Sequence, residues 1–106
     1  MGNRVRIEIP REKIVEFCQK WKINEFSLFG SVLRDDFGPD SDVDVLVSFA
    51  PDADWSLFDH VRMEEELEAI LGRKAHMATR RSMERSENWI RRKAILDSLV
   101  PYYVER

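Results

Sequence analysis

Two aspartates, Asp42 and Asp44, stand two residues apart in the segment 42–49, DVDVLVSF. The alternation of polar and apolar residues predicts a strand, and residues two apart on a strand project from one face with Cα atoms roughly 6.6 Å apart. Two carboxylates in a half-buried place repel each other and lose hydration, which a fold tolerates when a cation lies between them. Carboxylate oxygens favour Mg²⁺ or Mn²⁺, so the pair predicts a divalent-cation site.

A glycine–serine pair, Gly30 and Ser31, precedes Asp42 by ten residues. Gly30 ends a predicted strand over 25–29, and Ser31 begins a short helical segment over 31–36. Backbone N–H groups at such a start attract phosphate, and the glycine lets it approach closely. Beside metal-binding carboxylates the expected ligand is a metal-bound nucleoside triphosphate. The metal can neutralise the negative charge of the pyrophosphate as it leaves. Taken alone, a Gly-Ser pair is also a common turn and Asp-x-Asp at a strand edge can serve solubility only.

Helices must hold these segments in place. An apolar stripe at i, i+3, i+4 and i+7 predicts a helix over 10–21, with Cys18 on its buried face. A second helix starts at a capping box of Ser56 and Asp59 and ends at Gly72. Its predicted buried stripe is Leu57, Phe58, Val61, Leu67, Ile70 and Leu71.

The remaining segments complete an α/β fold. Residues 74–79 predict a third strand, and residues 86–100 predict a final helix that Pro101 ends. The short first connection favours an antiparallel pair, and the helical second connection permits a parallel one. We therefore expect a small three-stranded mixed sheet with flanking helices.

Composition sets the class of protein. The 106 residues (12.6 kDa) amount to one domain, 1–106, and 43% hydrophobic with 35% charged residues is a globular composition. We expect no membrane association and a cytoplasmic location, because apolar runs of about 20 residues and a leader-like start are both lacking. The single cysteine, Cys18, excludes a disulfide framework.

The net charge of −3 conceals an uneven distribution. Residues 35–68 carry twelve acids against one base, whereas residues 73–93 carry eight bases against two acids. Such a division suits a metal at one place and a polyanion or acidic partner at another, although two solvated faces would look the same. The basic segment lacks interleaved aromatic residues, so we expect partner docking or triphosphate steering rather than direct nucleic-acid binding.

The run 28–34, LFGSVLR, followed by 41–47, SDVDVLV, resembles the minimal nucleotidyltransferases of the DNA polymerase β superfamily. The signature of that family is Gly-Ser, ten residues, then Asp-x-Asp, and the resemblance covers roughly residues 10–100. It implies a polymerase-β-like nucleotidyltransferase palm. The implied reaction transfers a nucleoside monophosphate, usually AMP from ATP, to a hydroxyl, with pyrophosphate leaving.

The resemblance also implies roles for individual residues. Gly30 and Ser31 would hold the triphosphate, and Asp42 and Asp44 would hold the metal, Mg²⁺ or Mn²⁺. Ser41 completes the second motif and is a further candidate nucleotide contact.

Arg34 closes the first motif and is either a phosphate contact or a structural ion-pair partner of Asp36 or Asp42. Proteins of this family and size are often antitoxins paired with an all-helical HEPN ribonuclease toxin, which they silence by adenylylating a tyrosine. The resemblance thus implies a type VII-like antitoxin with a HEPN toxin partner. A further alternative is a transferase acting on a small hydroxylated molecule, but such enzymes usually carry an extra substrate domain, for which 106 residues leave no room. Tyr102 and Tyr103 are candidates for packing on the sheet or for a contact in a homo-oligomer.

One position departs from the family pattern. The family carries a third carboxylate on the third strand, where this chain, reading RKAHMAT over 73–79, has His76. An imidazole can act as a general base, but it removes a negative charge from the site and suits Mn²⁺ better than Mg²⁺. Three interpretations follow: a weakened or metal-shifted transferase, a catalytically degenerate antitoxin that neutralises by binding, or a strand residue with an exposed tip.

His60 and Glu64 lie four residues apart on the second predicted helix, as in some zinc sites. No third ligand follows them, so we interpret Glu64–Glu66 as a solvated face.

Overall fold

The computed structural model describes residues 9–30, 38 and 41–104. Their elements, in chain order, are α1 (Arg11–Lys20), β1 (Ile23–Phe29), β2 (Val43–Phe49), α2 (Leu57–Leu71), β3 (Ala75–Thr79), α3 (Arg80–Glu84), α4 (Trp89–Ser98) and β4 (Val100–Val104). The short helix predicted over 31–36 lies outside the described residues. Within those residues, no helix is long and apolar enough to cross a membrane.

The four strands form one mixed sheet in the order β3-β2-β1-β4. β1 pairs antiparallel with β2, and β2 pairs parallel with β3, as the connection lengths predicted. β4 pairs antiparallel with the other side of β1. The α/β class, the mixed sheet and both predicted pair directions are therefore confirmed.

The predicted number of strands was wrong, because the chain end that we expected to finish a helix forms β4 instead. α4 stops at Ser98, and Val100–Val104 is extended. Pro101 fits in β4 because an edge strand tolerates a residue without an N–H group. The short helix α3 was not predicted either; the Thr79 side chain caps it by accepting from the Ser82 N–H at 3.1 Å.

The hydrophobic core lies between one face of the sheet and the helices α1 and α2. Ile14, Phe17 and Cys18 of α1 are fully buried or nearly so, which confirms the predicted stripe, and burial raises the pKa of the Cys18 thiol to about 12. Tyr102 and Tyr103 of β4 pack against this core, so the interpretation that they pack on the sheet is confirmed.

Helix α2 begins and ends where the sequence predicts. Ser56 and Asp59 form the capping box, and Gly72 takes a left-handed φ of 72° at the C-terminal end. Its buried residues are Met63 and Leu67.

The predicted buried stripe of α2 was partly wrong, because its three N-terminal members are exposed: Leu57 at 79%, Phe58 at 83% and Val61 at 45%. With 3.6 residues per turn, Phe58 and Val61 lie on the other side of the helix from Met63 and Leu67, and Leu57 is its first residue. Trp89, which we expected on the packed side of the final helix, is likewise 61% exposed.

Candidate active site

The two aspartates lie at the start of β2, on the sheet face that turns away from the core. Val43 between them is fully buried in the core, and strand geometry therefore directs Asp42 and Asp44 to the opposite side. Both aspartates keep partial exposure to solvent. The predicted placement of the two carboxylates on one face is thus what the fold produces.

The pKa of Asp44 is raised, chiefly because partial burial penalises its charged form, and the neighbouring charge of Asp42 raises it further. The electrostatic influence of His76 and Arg91 acts in the opposite direction. Burial is thus the main cost of the Asp44 charge, and a cation held by the two carboxylates would offset that cost.

Gly30 lies directly against Asp44. Phe29, the last residue of β1, is the register partner of Asp44, and Gly30 follows it with a φ of +76°. A Cβ atom on Gly30 would stand 2.6 Å from Asp44 Oδ2. Both the backbone conformation and the available space therefore require glycine, and they bring the bend after β1 against the carboxylate.

His76 joins the same cluster from β3. It is the register partner of Asp44, and its Nε2 lies 2.7 Å from Asp42 Oδ2. The His76 side chain is 65% exposed and that of Asp42 36% exposed. His76 therefore has an exposed tip, as one interpretation held, but that tip is bonded to a candidate metal ligand.

The other predicted nucleotide contacts are only partly visible. Ser31 and Arg34 lie outside the described residues. Ser41 sits in a tight turn before Asp42, where its N–H donates to Gly38 O at 3.0 Å and its Oγ accepts from Gly38 N at 3.1 Å. Its hydroxyl oxygen thus stabilises the turn that precedes Asp42 and β2.

Sequence reasoning missed two arginines at this site. Arg73 donates from one guanidinium nitrogen to Gly38 O and to Ser41 O, both at 3.4 Å, and so braces the turn before Asp42. Arg91, in the first turn of α4, acts electrostatically on Asp44. The excess of bases over 73–93 was the available signal, but charge alone does not identify which of these cations faces the carboxylates.

The donor chemistry fits a divalent cation. Within the described residues, no three or more His, Cys, Asp or Glu side chains are already arranged as a metal site. The candidate donors are the carboxylates of Asp42 and Asp44, with the His76 imidazole beside them. Such a mixed set suits Mn²⁺ and, through its oxygens, Mg²⁺.

Comparison with known proteins gives a consistent result. Residues 11–102 match the nucleotidyltransferase domain family. A protein named as a protein adenylyltransferase in Methanocaldococcus jannaschii is 38% identical over 76 residues, which cover 72% of this chain and 78% of that relative. The protein adenylyltransferase MntA of Thermococcus cleftensis is 35% identical over 69 residues, covering 65% and 68% of the two chains.

Solved structures agree with these sequence matches. A protein described as a minimal nucleotidyltransferase superposes with a TM-score of 0.66 at 30% identity, covering 86% of this chain and 87% of its own. A toxin–antitoxin complex with AMP-PNP contains a chain that shares the fold, with a TM-score of 0.68 at 14% identity over 92% of this chain and 76% of that one. With Gly30 and the Asp-x-Asp motif together at one end of β2, this chain belongs to the nucleotidyltransferase domain family.

Proposed function

We propose that this protein is a metal-dependent protein adenylyltransferase that transfers AMP from ATP to a hydroxyl of a partner protein. The observation that carries the proposal is the contact between Gly30 and Asp44, with Asp42 and His76 alongside. That contact joins the predicted phosphate-binding bend to the predicted metal-binding carboxylates. The names of the sequence relatives support a protein as the acceptor.

The residues have distinct roles in the proposed reaction. Gly30, Ser31, Ser41 and Arg34 are the proposed contacts to the nucleotide, and Asp42 and Asp44 would hold Mg²⁺ or Mn²⁺. When bound, the metal would neutralise charge on the triphosphate and favour departure of pyrophosphate.

The bonds exchanged in the reaction are simple. The acceptor oxygen bonds to the α-phosphorus of ATP, and the bond from that phosphorus to the β-phosphate oxygen breaks. The acceptor's proton must leave, and the neutral imidazole of His76 can take it. Its bond to Asp42 Oδ2 at 2.7 Å fixes the direction of the ring.

The proposed partner is a HEPN ribonuclease toxin, with one of its tyrosines as the acceptor and this protein as the cytoplasmic antitoxin. Support comes from the relative named MntA and from the fold that this chain shares with a chain of a toxin–antitoxin complex.

A second candidate function is an antitoxin that neutralises its toxin by binding, with a degenerate nucleotide site. The observation that favours it is His76, which stands where the family has a carboxylate and occupies an oxygen of Asp42. The two candidates differ in whether the protein binds ATP with metal and transfers AMP.

The deciding experiment combines calorimetry of ATP binding, with Mg²⁺ or Mn²⁺, and AMP incorporation into the HEPN toxin of the neighbouring open reading frame, if that frame encodes one. We expect the wild type to bind ATP with metal, and Asp42→Asn to lower AMP transfer by about 100-fold or more. His76→Asp should raise transfer with Mg²⁺ if the histidine weakens the site; an unchanged rate would remove that idea. Failure of the wild type to bind ATP with either metal would leave the binding-only antitoxin as the function.

A further inference from the structure

The outer edge of β3 is covered by a helix. β3 is the edge strand of the sheet, with β2 as its one neighbour among the described strands. In β3, every second residue directs its backbone N–H and C=O groups toward β2. The residues between them direct these groups outward, away from the sheet. The outward groups belong to Ala75 and Met77, and they bond to side chains of α2.

Three side chains of α2 contact these outward backbone groups. Glu64 Oε2 accepts from the Met77 N–H at 2.9 Å, and Glu68 Oε2 accepts from the Ala75 N–H at 3.1 Å. His60 Nε2 lies 3.0 Å from Met77 O. Because a carbonyl oxygen only accepts, this nitrogen must carry the proton and donate it.

The three side chains form a continuous row, which we call the α2 stripe: His60, Glu64 and Glu68. They are spaced by four residues and therefore lie along one side of the helix. The stripe is half-buried. It is next to the side that carries Met63 and Leu67 into the core, so core packing fixes its position against β3. The interpretation of Glu64–Glu66 as a solvated face was wrong for Glu64, which accepts from the Met77 N–H.

We infer that His60, Glu64 and Glu68 are positioning residues for the candidate active site, since they hold β3 in the register that brings His76 to Asp42. His76 lies between the two β3 residues that the stripe binds, and its imidazole reaches Asp42 at 2.7 Å. A slip of one residue would turn His76 to the other face of the sheet. The inference rests on the proposed function for its consequence in catalysis, and on the contacts alone for its consequence in structure.

The test compares three full-length variants with the wild type. Glu64→Ala/Glu68→Ala removes both acceptors, and Glu64→Gln/Glu68→Gln keeps a carbonyl oxygen at each position. Glu65→Ala is the matched control, because Glu65 is exposed on the same helix. If the double alanine variant does not fold by circular dichroism, the single variant Glu68→Ala replaces it.

Two readouts apply to the protein whether or not it transfers AMP. In the alanine variant we expect amide hydrogen exchange at Ala75 and Met77 to accelerate by about tenfold or more. We also expect the ¹⁵N resonances of the His76 imidazole to shift at constant pH, since its bond to Asp42 is lost. The glutamine variant and Glu65→Ala should match the wild type in both readouts.

Kinetics supply the third readout where the wild type is active. We expect kcat for AMP transfer to fall by about tenfold in the alanine variant, with KM for ATP within about twofold, because β3 carries His76 rather than the phosphate-binding bend. Recovery of kcat by the glutamine variant supports the inference.

Unchanged His76 resonances in the alanine variant would overturn the inference. If that variant also self-associated, the α2 stripe would serve only to protect the edge of β3 from pairing with another chain. An unchanged kcat despite shifted resonances would also overturn the catalytic consequence. An inactive wild type would instead count against the proposed function, while the His76 resonances would still decide the inference.

Discussion

The two faces of β2 have opposite characters although they belong to one seven-residue strand. Val43, Val45 and Val47 on the core face have no exposed surface. On the other face, Asp44 is partly exposed and has a raised pKa because burial and Asp42 both disfavour its charge. Apolar packing on one side thus holds the backbone rigid, so that like charges can be kept at fixed positions on the other. Water is excluded from the middle of the face that carries the aspartates, however, because Leu46 on that face is also buried.

The largest expected effect comes from moving a charge to the core face. Val45 lies between Leu28 of β1 and Met77 of β3, in the centre of the sheet. Val45→Asp would bury an unpaired carboxylate there, and we expect the free energy of unfolding to fall by more than about 4 kcal/mol, close to global unfolding. Urea denaturation followed by circular dichroism measures this loss.

A substitution at the neighbouring residue Asp44, on the face of β2 that carries the candidate site (the site face), should not lower stability. Asp44→Asn removes a charge that the fold disfavours, so stability at neutral pH should be equal or higher while AMP transfer is lost. A raised native pKa means that the native state binds the proton more tightly than the unfolded state does. The contribution of Asp44 to stability therefore decreases as pH rises from its unfolded value, about 3.9, through the higher native value. The stability advantage of Asp44→Asn should accordingly grow from about pH 3 to about pH 7, and an advantage that shrinks over this range would contradict the account.

A smaller effect is expected at the bend that joins the site face. Gly30→Ala places a residue with a side chain at φ +76° and pushes its Cβ to 2.6 Å from Asp44 Oδ2. We expect a loss of about 1–2 kcal/mol in stability from the backbone alone. Displacement of the carboxylate should also weaken calorimetric binding of ATP with Mn²⁺ by about tenfold or more.

Gly72→Ala is the matched control for that change. Gly72 has nearly the same φ, +72°, but a Cβ there would meet nothing within 4 Å. It should lose about 1 kcal/mol of stability and keep full ATP binding. Equal ATP binding by the two alanine variants would show that the contact between Gly30 and Asp44 has no part in the site.

The sequence predicted most of the fold where one periodicity dominates. The alternation over 42–49 fixed both β2 and the shared face of Asp42 and Asp44, and the capping box at Ser56 marked the start of α2. By contrast, β4 was missed because Leu96, Leu99, Val100 and Tyr103 also fit a helical stripe, and Pro101 was interpreted as its end. Short apolar runs do not distinguish the two periods.

The candidate site was predictable only in part, for a related reason. The motifs placed Gly30 beside Asp44, but the bond between His76 and Asp42 depends on the pairing of β2 with β3. The roles of Glu64, Glu68 and Arg73 depend on which backbone groups the fold leaves outward. Composition and spacing do not encode such long-range partners, so these residues looked like solvated charges.

The smallest effect is expected from a substitution in the buried middle of the site face. Ser27 of β1 is the register partner of Leu46 and is only 1% exposed. Within the described part of the chain, its Oγ is buried without a hydrogen-bond partner. Because an unsatisfied buried hydroxyl is unfavourable, Ser27→Ala should leave stability unchanged or raise it by up to about 1 kcal/mol in urea denaturation.

Ser48→Ala is the control for Ser27, because Ser48 lies on the same face and is partly exposed to solvent. Water can satisfy its hydroxyl, so the change in stability should stay within about 0.5 kcal/mol of zero. A clear destabilisation by Ser27→Ala would mean that its hydroxyl has a partner. The middle of this face would then belong to the polar site rather than to the apolar scaffold that separates the aspartates from the far end of β2.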